Sequence, residues 1–462
     1  MAASETRAAA RRDRRDFLKG AAGVGLGAAI GGLGLTRARA AQQNEAPRAA
    51  APQQPFRAAP LDVVRIGFVG VGGMGTHHVN LLTRIEGAEI RAVCDIREEH
   101  AERAAKIVVD AGQERPALYT RGERDFERLC ESEALDLVFT ATPWRWHVPV
   151  CVAAMTHGKH AATEVPAACT VEDCWKLVEH AEKHAKHCVM MENCCYDRSE
   201  LMCLNMVRKG LLGEVLHGEC GYLHDLRAVK FSDGGEGLWR RAHSMKRNGN
   251  LYPTHGLGPV AQCMNINRGD RFDYLVSMSG PARGLQLWRD ERLAADDPRR
   301  NEEYVLGDVN LTLIKTAAGK TIYLVHDTNL PRPYSRIHIV QGTRGIFEKY
   351  PDRVHIAGRS QGHGWEELDQ HRDEFEHPLW RSEKVKTMAG GHGGMDFLED
   401  YRLIQCLRAG QPTDMDVYDA AAWSCVCELT ERSVASRSAP VDVPDFTRGR
   451  YKTWPALGIV EA

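Results

Sequence analysis

Paired Cys-x-x-Cys motifs at zinc-finger spacing are absent from this sequence, so no structural metal site is expected and no metal is assigned. An excess of one charge is missing too: 60 Lys and Arg stand against 62 Asp and Glu, a formal net charge of -2. That balance, with no Lys/Arg run in the body of the chain, gives no reason to expect nucleic acid as a partner. No apolar run has the length and freedom from glycine that a stable membrane span needs. The 14 cysteines fall well below the density of a disulfide-stapled secreted scaffold. Most lie in apolar runs, as Cys94, Cys151 and Cys263 do, and read as buried free thiols. What is present is a globular composition, 43% hydrophobic and 26% charged, which points to a small-molecule partner. At 462 residues the chain exceeds one ordinary core, so two domains are expected.

The N-terminus carries Arg14-Arg15-Asp16-Phe17-Leu18-Lys19, then a Gly/Ala-rich apolar stretch to about Leu35, then Ala38-Arg39-Ala40. Charged region, short apolar region and small-x-small cleavage site are the parts of a signal peptide, here residues 1–40. The paired arginines resemble a twin-arginine signal, an address read by the machinery that exports folded proteins, with the periplasm as destination. A folded export route suits a protein that takes up a bound ligand in the cytoplasm before it is exported. Residues 41–60, rich in Ala, Gln and Pro, read as a linker.

Val63 to Val69 is a β-branched run suited to a buried parallel strand. It leads into Gly70-Val71-Gly72-Gly73-Met74-Gly75, a complete G-x-G-x-x-G, and then into helical spacing from Thr76 to Arg84. A second strand, Glu89 to Cys94, ends in Asp95, at the distance from the glycines that a dinucleotide fingerprint requires. The glycines let the backbone turn and approach the pyrophosphate, whose charge sits on a helix N-terminus. Asp95 accepts from the ribose hydroxyls and favours NAD over NADP, although Arg97 close by leaves NADP open. The fold expected is α/β, with a doubly wound parallel Rossmann sheet over residues 61–190.

Further strands are expected at Leu135 to Ala141, ending in Thr142-Pro143-Trp144-Arg145-Trp146-His147, and before Glu164-Val165-Pro166. Between them a helix is expected from about Val148 to His157. Open α/β sheets place ligands at the carboxyl ends of their strands, so both segments are candidates for the nicotinamide pocket.

The glycine motif, the TPxxxH of residues 142–147, the AMxxGKH of residues 154–160 and the Glu-x-Pro turn together resemble the glucose-fructose oxidoreductase and inositol dehydrogenase superfamily. The resemblance implies that residues 191–462 form a second α/β domain whose open, mainly antiparallel sheet carries a sugar site. It also implies self-association through that open face as one option. Dehydrogenases of the superfamily read Glu-Lys-Pro, with the lysine assisting proton transfer. Val165 stands in its place here, which puts alcohol dehydrogenation by that route in doubt.

A narrower set of segments is similar to glycoside hydrolase family 109. These are Glu164 to Ala168, Met191-Glu192-Asn193, Gly221 to Arg227, and the long run from Asn248 to Val260. That resemblance implies an α-N-acetylgalactosaminidase using bound NAD, with Gly73, Met74, Asp95, Trp144, His147, Glu164, Val165 and Asn193 at the cofactor, beside Gly70, Gly72 and Gly75 of the glycine motif. It places Tyr222, Arg240, Tyr252, Thr254, His255 and Tyr334 at the sugar.

Without the family, these residues speak more softly. The Gly- and Pro-rich start of the run from Tyr252 to Pro259 predicts a shaped loop presenting Tyr, Thr and His rather than a regular helix. Arg240 reads equally well as a surface ion pair, and Trp144 and Trp146 as packing. His392-Gly393-Gly394-Met395-Asp396 is similar to a family segment and receives no role. Residues 415–433 have helical apolar spacing and are expected to pack on the body.

The chemistry implied is redox-assisted elimination: NAD-dependent oxidation at C3, deprotonation at C2, loss of the C1 leaving group, water addition and re-reduction. It needs general bases rather than two flanking carboxylates. His255, with Tyr222 or Tyr252, is expected to share the proton transfers. Two alternatives remain on sequence grounds: a net NAD-dependent sugar dehydrogenase of the same superfamily, and an inactive sugar-binding homologue.

Overall fold

The computed structural model describes Pro52, residues 56–382, Val385, residues 391–457 and Ile459. The twin-arginine segment and most of the linker lie outside the described residues. The end of the linker is docked: Phe56 stacks on Tyr418 with ring centroids 6.4 Å apart. No helix among the described residues is long and apolar enough to cross a membrane.

The first sheet has six strands: β1 (Val64–Val69), β2 (Ala88–Cys94), β3 (Ala117–Tyr119), β4 (Leu137–Thr140), β5 (His160–Thr163) and β6 (Cys188–Met190). They pair in parallel in the order β3-β2-β1-β4-β5-β6, the doubly wound Rossmann order. Helices α1 (Gly73–Leu82), α2 (Glu98–Asp110), α3 (Asp125–Ser132), α4 (His147–Thr156) and α5 (Val171–His184) cover its faces. Because both faces are covered, the strands read as continuous apolar runs, with Ile66, Phe68, Leu137 and Phe139 fully buried. The strand order reverses between β1 and β4, which opens a crevice at their carboxyl ends.

After α6 (Arg198–Arg208) comes a nine-stranded mixed sheet. Its strands are β7 (Val215–Leu223), β8 (Phe272–Ser279), β9 (Val309–Thr316), β10 (Thr321–Asp327), β11 (Ile339–Gly342), β12 (Gly345–Glu348), β13 (Arg353–Ile356), β14 (Glu366–Glu367) and β15 (Val441–Asp442). The order is β14-β13-β12-β11-β7-β10-β9-β8-β15, antiparallel except for the β7–β10 pair. Two helices, α7 (Arg240–Lys246) and α8 (Thr254–Cys263), carry side chains from this half toward the crevice.

The run from Tyr252 to Pro259 is not the loop its composition predicts; α8 already begins at Thr254. Its glycines serve contact rather than looping. A Cβ on Gly256 would lie 2.5 Å from the Gly221 backbone nitrogen, so the helix reaches β7 backbone to backbone. Pro259 within the helix forgoes one hydrogen bond, to the His255 carbonyl.

The C-terminal helical spacing forms two helices, α10 (Val417–Ser424) and α11 (Val426–Ala435), meeting at Cys425. Ahead of them, α9 (Met395–Ala409) returns to the first sheet. Its Phe397, Leu403, Ile404 and Leu407 join the buried cluster around Val64, Ile66 and Leu137. This return brings acidic side chains of α9 to the crevice.

Candidate active site

The turn after β1 is shaped by a close approach. Gly70 has φ +82°, and a Cβ on Gly75 would lie 1.9 Å from the Gly70 carbonyl oxygen, so α1 starts directly on the strand end. At Gly72 and Gly73 a Cβ would meet no atom within 4 Å; these two line open space at the N-terminus of α1. Asp95, at the end of β2, accepts from the amides of Val71 and Arg97, each at 2.9 Å. The open glycine turn, the free helix N-terminus and the acid at the second strand fit a dinucleotide pyrophosphate and ribose.

One cavity of about 1100 Å³ begins at this cradle and runs to the second sheet. Gly70, Gly72, Gly73, Met74, Asp95, Trp144, His147, Glu164, Val165 and Asn193 all line it, as do Tyr222, Arg240, Tyr252 and His255. Gly75 packs behind the cradle instead. Thr254 is fully buried and Tyr334 is 38% exposed; neither lines this cavity. Tyr334 stands beside it, its ring 5.0 Å from that of His224 and its hydroxyl accepting from Arg336 at 3.0 Å. Val165 is buried in the wall, and no lysine is among the described lining residues.

At the second-sheet end, His255 Nδ1 lies 2.7 Å from Glu192 Oε1. Burial opposes the charge on Glu192, but His255 outweighs it and holds the carboxyl below its ordinary value. An ionised carboxylate only accepts, so Nδ1 carries a proton and Nε2 is the ring nitrogen left free of Glu192. The His255 ring stands edge-on to Tyr252 at 4.9 Å and to Tyr222 at 5.3 Å. The Tyr222 hydroxyl bonds His224 Nδ1 at 3.0 Å. Burial pushes the Tyr222 hydroxyl up to about 12 and lifts Tyr252 well above its ordinary value, so both are neutral donors. Burial first, then Arg240, lowers His224 and leaves it a neutral acceptor.

Arg240 forms an ion pair with Glu236 at 2.5 Å, yet it is buried rather than a surface residue. Its guanidinium lies 4.7 Å from the Tyr252 ring centroid and 5.3 Å from that of Trp144. Trp144 stacks on Tyr252 at 5.8 Å, so the tryptophan that follows β4 joins the two ends of the cavity. His147 bridges two strand-end segments, 2.8 Å from the carbonyls of both Thr142 and Pro166.

Several lining residues carry no signal in the sequence. Glu236 and Trp239 stand in and just after a short 3-10 turn, Gly235–Leu238, that no motif marks, while His224 lies within the Gly221 to Arg227 segment without a role assigned to it. Glu192 lies within the Met191-Glu192-Asn193 segment, but its partner lies 63 residues away. Asn193 donates to Asp396 at 2.7 Å, which gives the unassigned His392–Asp396 segment a place at the cofactor end.

A Rossmann crevice with an open glycine cradle, running into a pocket of tyrosines, histidines and a buried arginine, defines a dinucleotide-dependent enzyme for a polar small molecule. Known proteins agree and go further. Residues 64–192 match the oxidoreductase family with NAD-binding Rossmann fold, and residues 196–453 match the glycosyl hydrolase 109 C-terminal domain. Residues 13–31 match the twin-arginine translocation signal sequence, which supports export by that route. A glycosyl hydrolase family 109 protein of Shewanella baltica is 47% identical over 455 residues, 97% of this chain and 99% of the relative. A Shewanella oneidensis protein named alpha-N-acetylgalactosaminidase is 46% identical over the same shares.

Among solved structures, a levoglucosan dehydrogenase in complex with NADH and L-sorbose superposes with a TM-score of 0.65 at 19% identity, covering 83% of this chain and all of that one. A Lactobacillus casei scyllo-inositol dehydrogenase with NAD(H) and scyllo-inositol gives 0.59 at 14% identity, covering 82% and 99%. The chain belongs to glycosyl hydrolase family 109, and its cofactor is NAD.

Proposed function

We propose that this enzyme hydrolyses terminal α-N-acetylgalactosaminides in the periplasm and that its bound NAD is unchanged at the end of each cycle. The observation that carries this reading is the single cavity joining the glycine cradle to the Glu192–His255 pair, without a lysine in its described wall. Relatives at 46–47% identity across nearly the whole chain, one of them named for this activity, support the substrate.

When bound, NAD accepts hydride from C3 of the sugar and later returns it. The protein supplies the proton transfers. The Tyr222 hydroxyl takes the C3 hydroxyl proton while passing its own to His224 Nδ1, along the 3.0 Å bond between them. His255 Nε2, with Nδ1 fixed on Glu192, removes the C2 proton made acidic by the neighbouring ketone. Tyr252 gives its hydroxyl proton to the oxygen departing from C1 and regains one from the water that then adds there, while His255 returns a proton to C2. Arg240, braced by Glu236 and flanked by rings, binds sugar oxygens. Tyr334 contacts the substrate from the rim. The division between residues 61–190 for cofactor and 191–462 for substrate is part of this proposal, with α9 shared between them.

The outer face of the second sheet carries Tyr274 and Met278 of β8 beside Leu311 and Leu313 of β9, all exposed on one side. We assign this apolar patch to a second copy of the chain.

The test is turnover of a p-nitrophenyl α-N-acetylgalactosaminide by purified protein with no NAD added. Many turnovers per enzyme are expected. A requirement for stoichiometric NAD would instead identify the net sugar dehydrogenase that the solved neighbours exemplify.

A further inference from the structure

Behind the cofactor end of the cavity lies a buried array that the proton transfers above do not use. His78, on α1, is fully enclosed between two carboxylates. Its Nδ1 is 2.9 Å from Asp400 on α9, and its Nε2 is 2.9 Å from Glu164 at the end of β5. Both ring nitrogens face acceptor-only groups, which fits an imidazolium. Burial alone would lower His78; the two carboxylates outweigh it and hold it well above its ordinary value. The other Glu164 oxygen accepts from the Val165 amide at 3.2 Å, so this carboxylate is fixed at both ends.

Other groups complete the wall. Asp396 is bonded by His77, His392 and Asn193, and Glu399 lies buried nearby. Burial, reinforced by Asp400 and Glu164, lifts Glu399 well above the carboxylate range and leaves it neutral. His78, Glu164, Asn193, Asp396 and Glu399 all line the cavity. Glu164 and Asn193 follow the carboxyl ends of β5 and β6, where open α/β sheets bind the reacting end of a ligand.

We propose that His78 is a positioning residue which fixes the Glu164 carboxylate on the cavity wall, tempers its charge, and thereby sets the reduction potential of the bound dinucleotide. The oxidised nicotinamide ring is a cation and the reduced ring is neutral. A bare carboxylate beside it favours the oxidised form; a cation behind that carboxylate reduces the bias. An enzyme that must give back the hydride it takes needs this balance, since a strong bias either way stalls one half of the cycle. The inference rests on reading this cavity as the NAD site and not on the identity of the sugar.

The test is the midpoint potential of the cofactor in intact holoenzyme, titrated against an external redox couple and read by its absorbance. Three variants carry it. His78→Gln removes the cation and should favour the oxidised form by about tenfold, a drop of about 30 mV for a two-electron couple. Glu164→Gln removes the carboxylate and should shift the potential upward. His78→Lys keeps a cation and should stay close to the unaltered enzyme. A purely structural role for His78 predicts equal damage from Gln and Lys and no opposite shifts. Shifts of the same sign in His78→Gln and Glu164→Gln, or none, would overturn the proposal; if one variant fails to fold, the sign in the other still decides. NAD content, measured on the same samples, separates failure of this inference from failure of the cofactor assignment.

Discussion

Glu192 Oε1 holds His255 Nδ1 at 2.7 Å, and this pair leaves Nε2 as the ring nitrogen turned away from the carboxylate. The carboxylate is buried, and the histidine opens on the cavity. Such a relationship is what an orienting acid would give the general base proposed above. His255→Ala should lower the rate of C2 proton exchange by about 10²–10⁴-fold. Glu192→Gln keeps the shape but relaxes the tautomer, and should lose about tenfold or more with little change in KM. Steady-state kinetics with C2-deuterated substrate checks both.

The cradle should tolerate a side chain only while it is empty. At Gly72 and Gly73 an added Cβ meets no protein atom within 4 Å, and neither residue has a positive φ. Gly73→Val should therefore leave the thermal stability of cofactor-free protein near that of the unaltered chain. Its NAD content after purification should fall at least about tenfold, because the side chain occupies the space of the pyrophosphate.

Gly256→Ala should do the reverse. Its Cβ would sit 2.5 Å from the Gly221 nitrogen and 2.6 Å from its carbonyl oxygen, both backbone atoms that cannot turn aside. A stability loss of about 1–3 kcal/mol or more is expected in urea unfolding, with activity falling as α8 and His255 shift.

Acid stability should depend on Asp197. Burial opposes its charge, but Lys349 and Arg336 outweigh that and lower its carboxyl to about 2. A carboxyl depressed in the folded state contributes stability above its unfolded value, and that contribution fades as pH falls from about 4 to about 2. The difference in unfolding free energy between the unaltered enzyme and Asp197→Asn should be full near neutrality and shrink across that window.

Local patterns were the legible part. The glycine turn, its flanking strands and Asp95 lie within a short stretch of chain, each with a distinct residue type, and the Rossmann sheet followed from them. The nine-stranded sheet was legible only through family likeness, since its strands are set by distant pairing such as β7 with β10. Composition misled at α8, where glycine and proline signal a loop but serve a close helix–strand contact. The pairings that matter most were hidden by separation: His255 with Glu192 across 63 residues, and His78 with Asp400 across 322. Nothing in a single sequence joins such positions, and α9 reaches the cofactor end only because its apolar face packs on the first sheet.

The most direct measurement is hydrolysis of a p-nitrophenyl α-N-acetylgalactosaminide in D₂O, with no NAD added, followed at C2 of the released sugar. Repeated release of p-nitrophenol with deuterium at C2 is expected, since His255 as the proposed base removes that proton and solvent replaces it. Repeated release with only hydrogen at C2, together with no primary isotope effect from C2-deuterated substrate (which excludes shielded return of the same proton), would contradict elimination through C2 and point to direct displacement at C1.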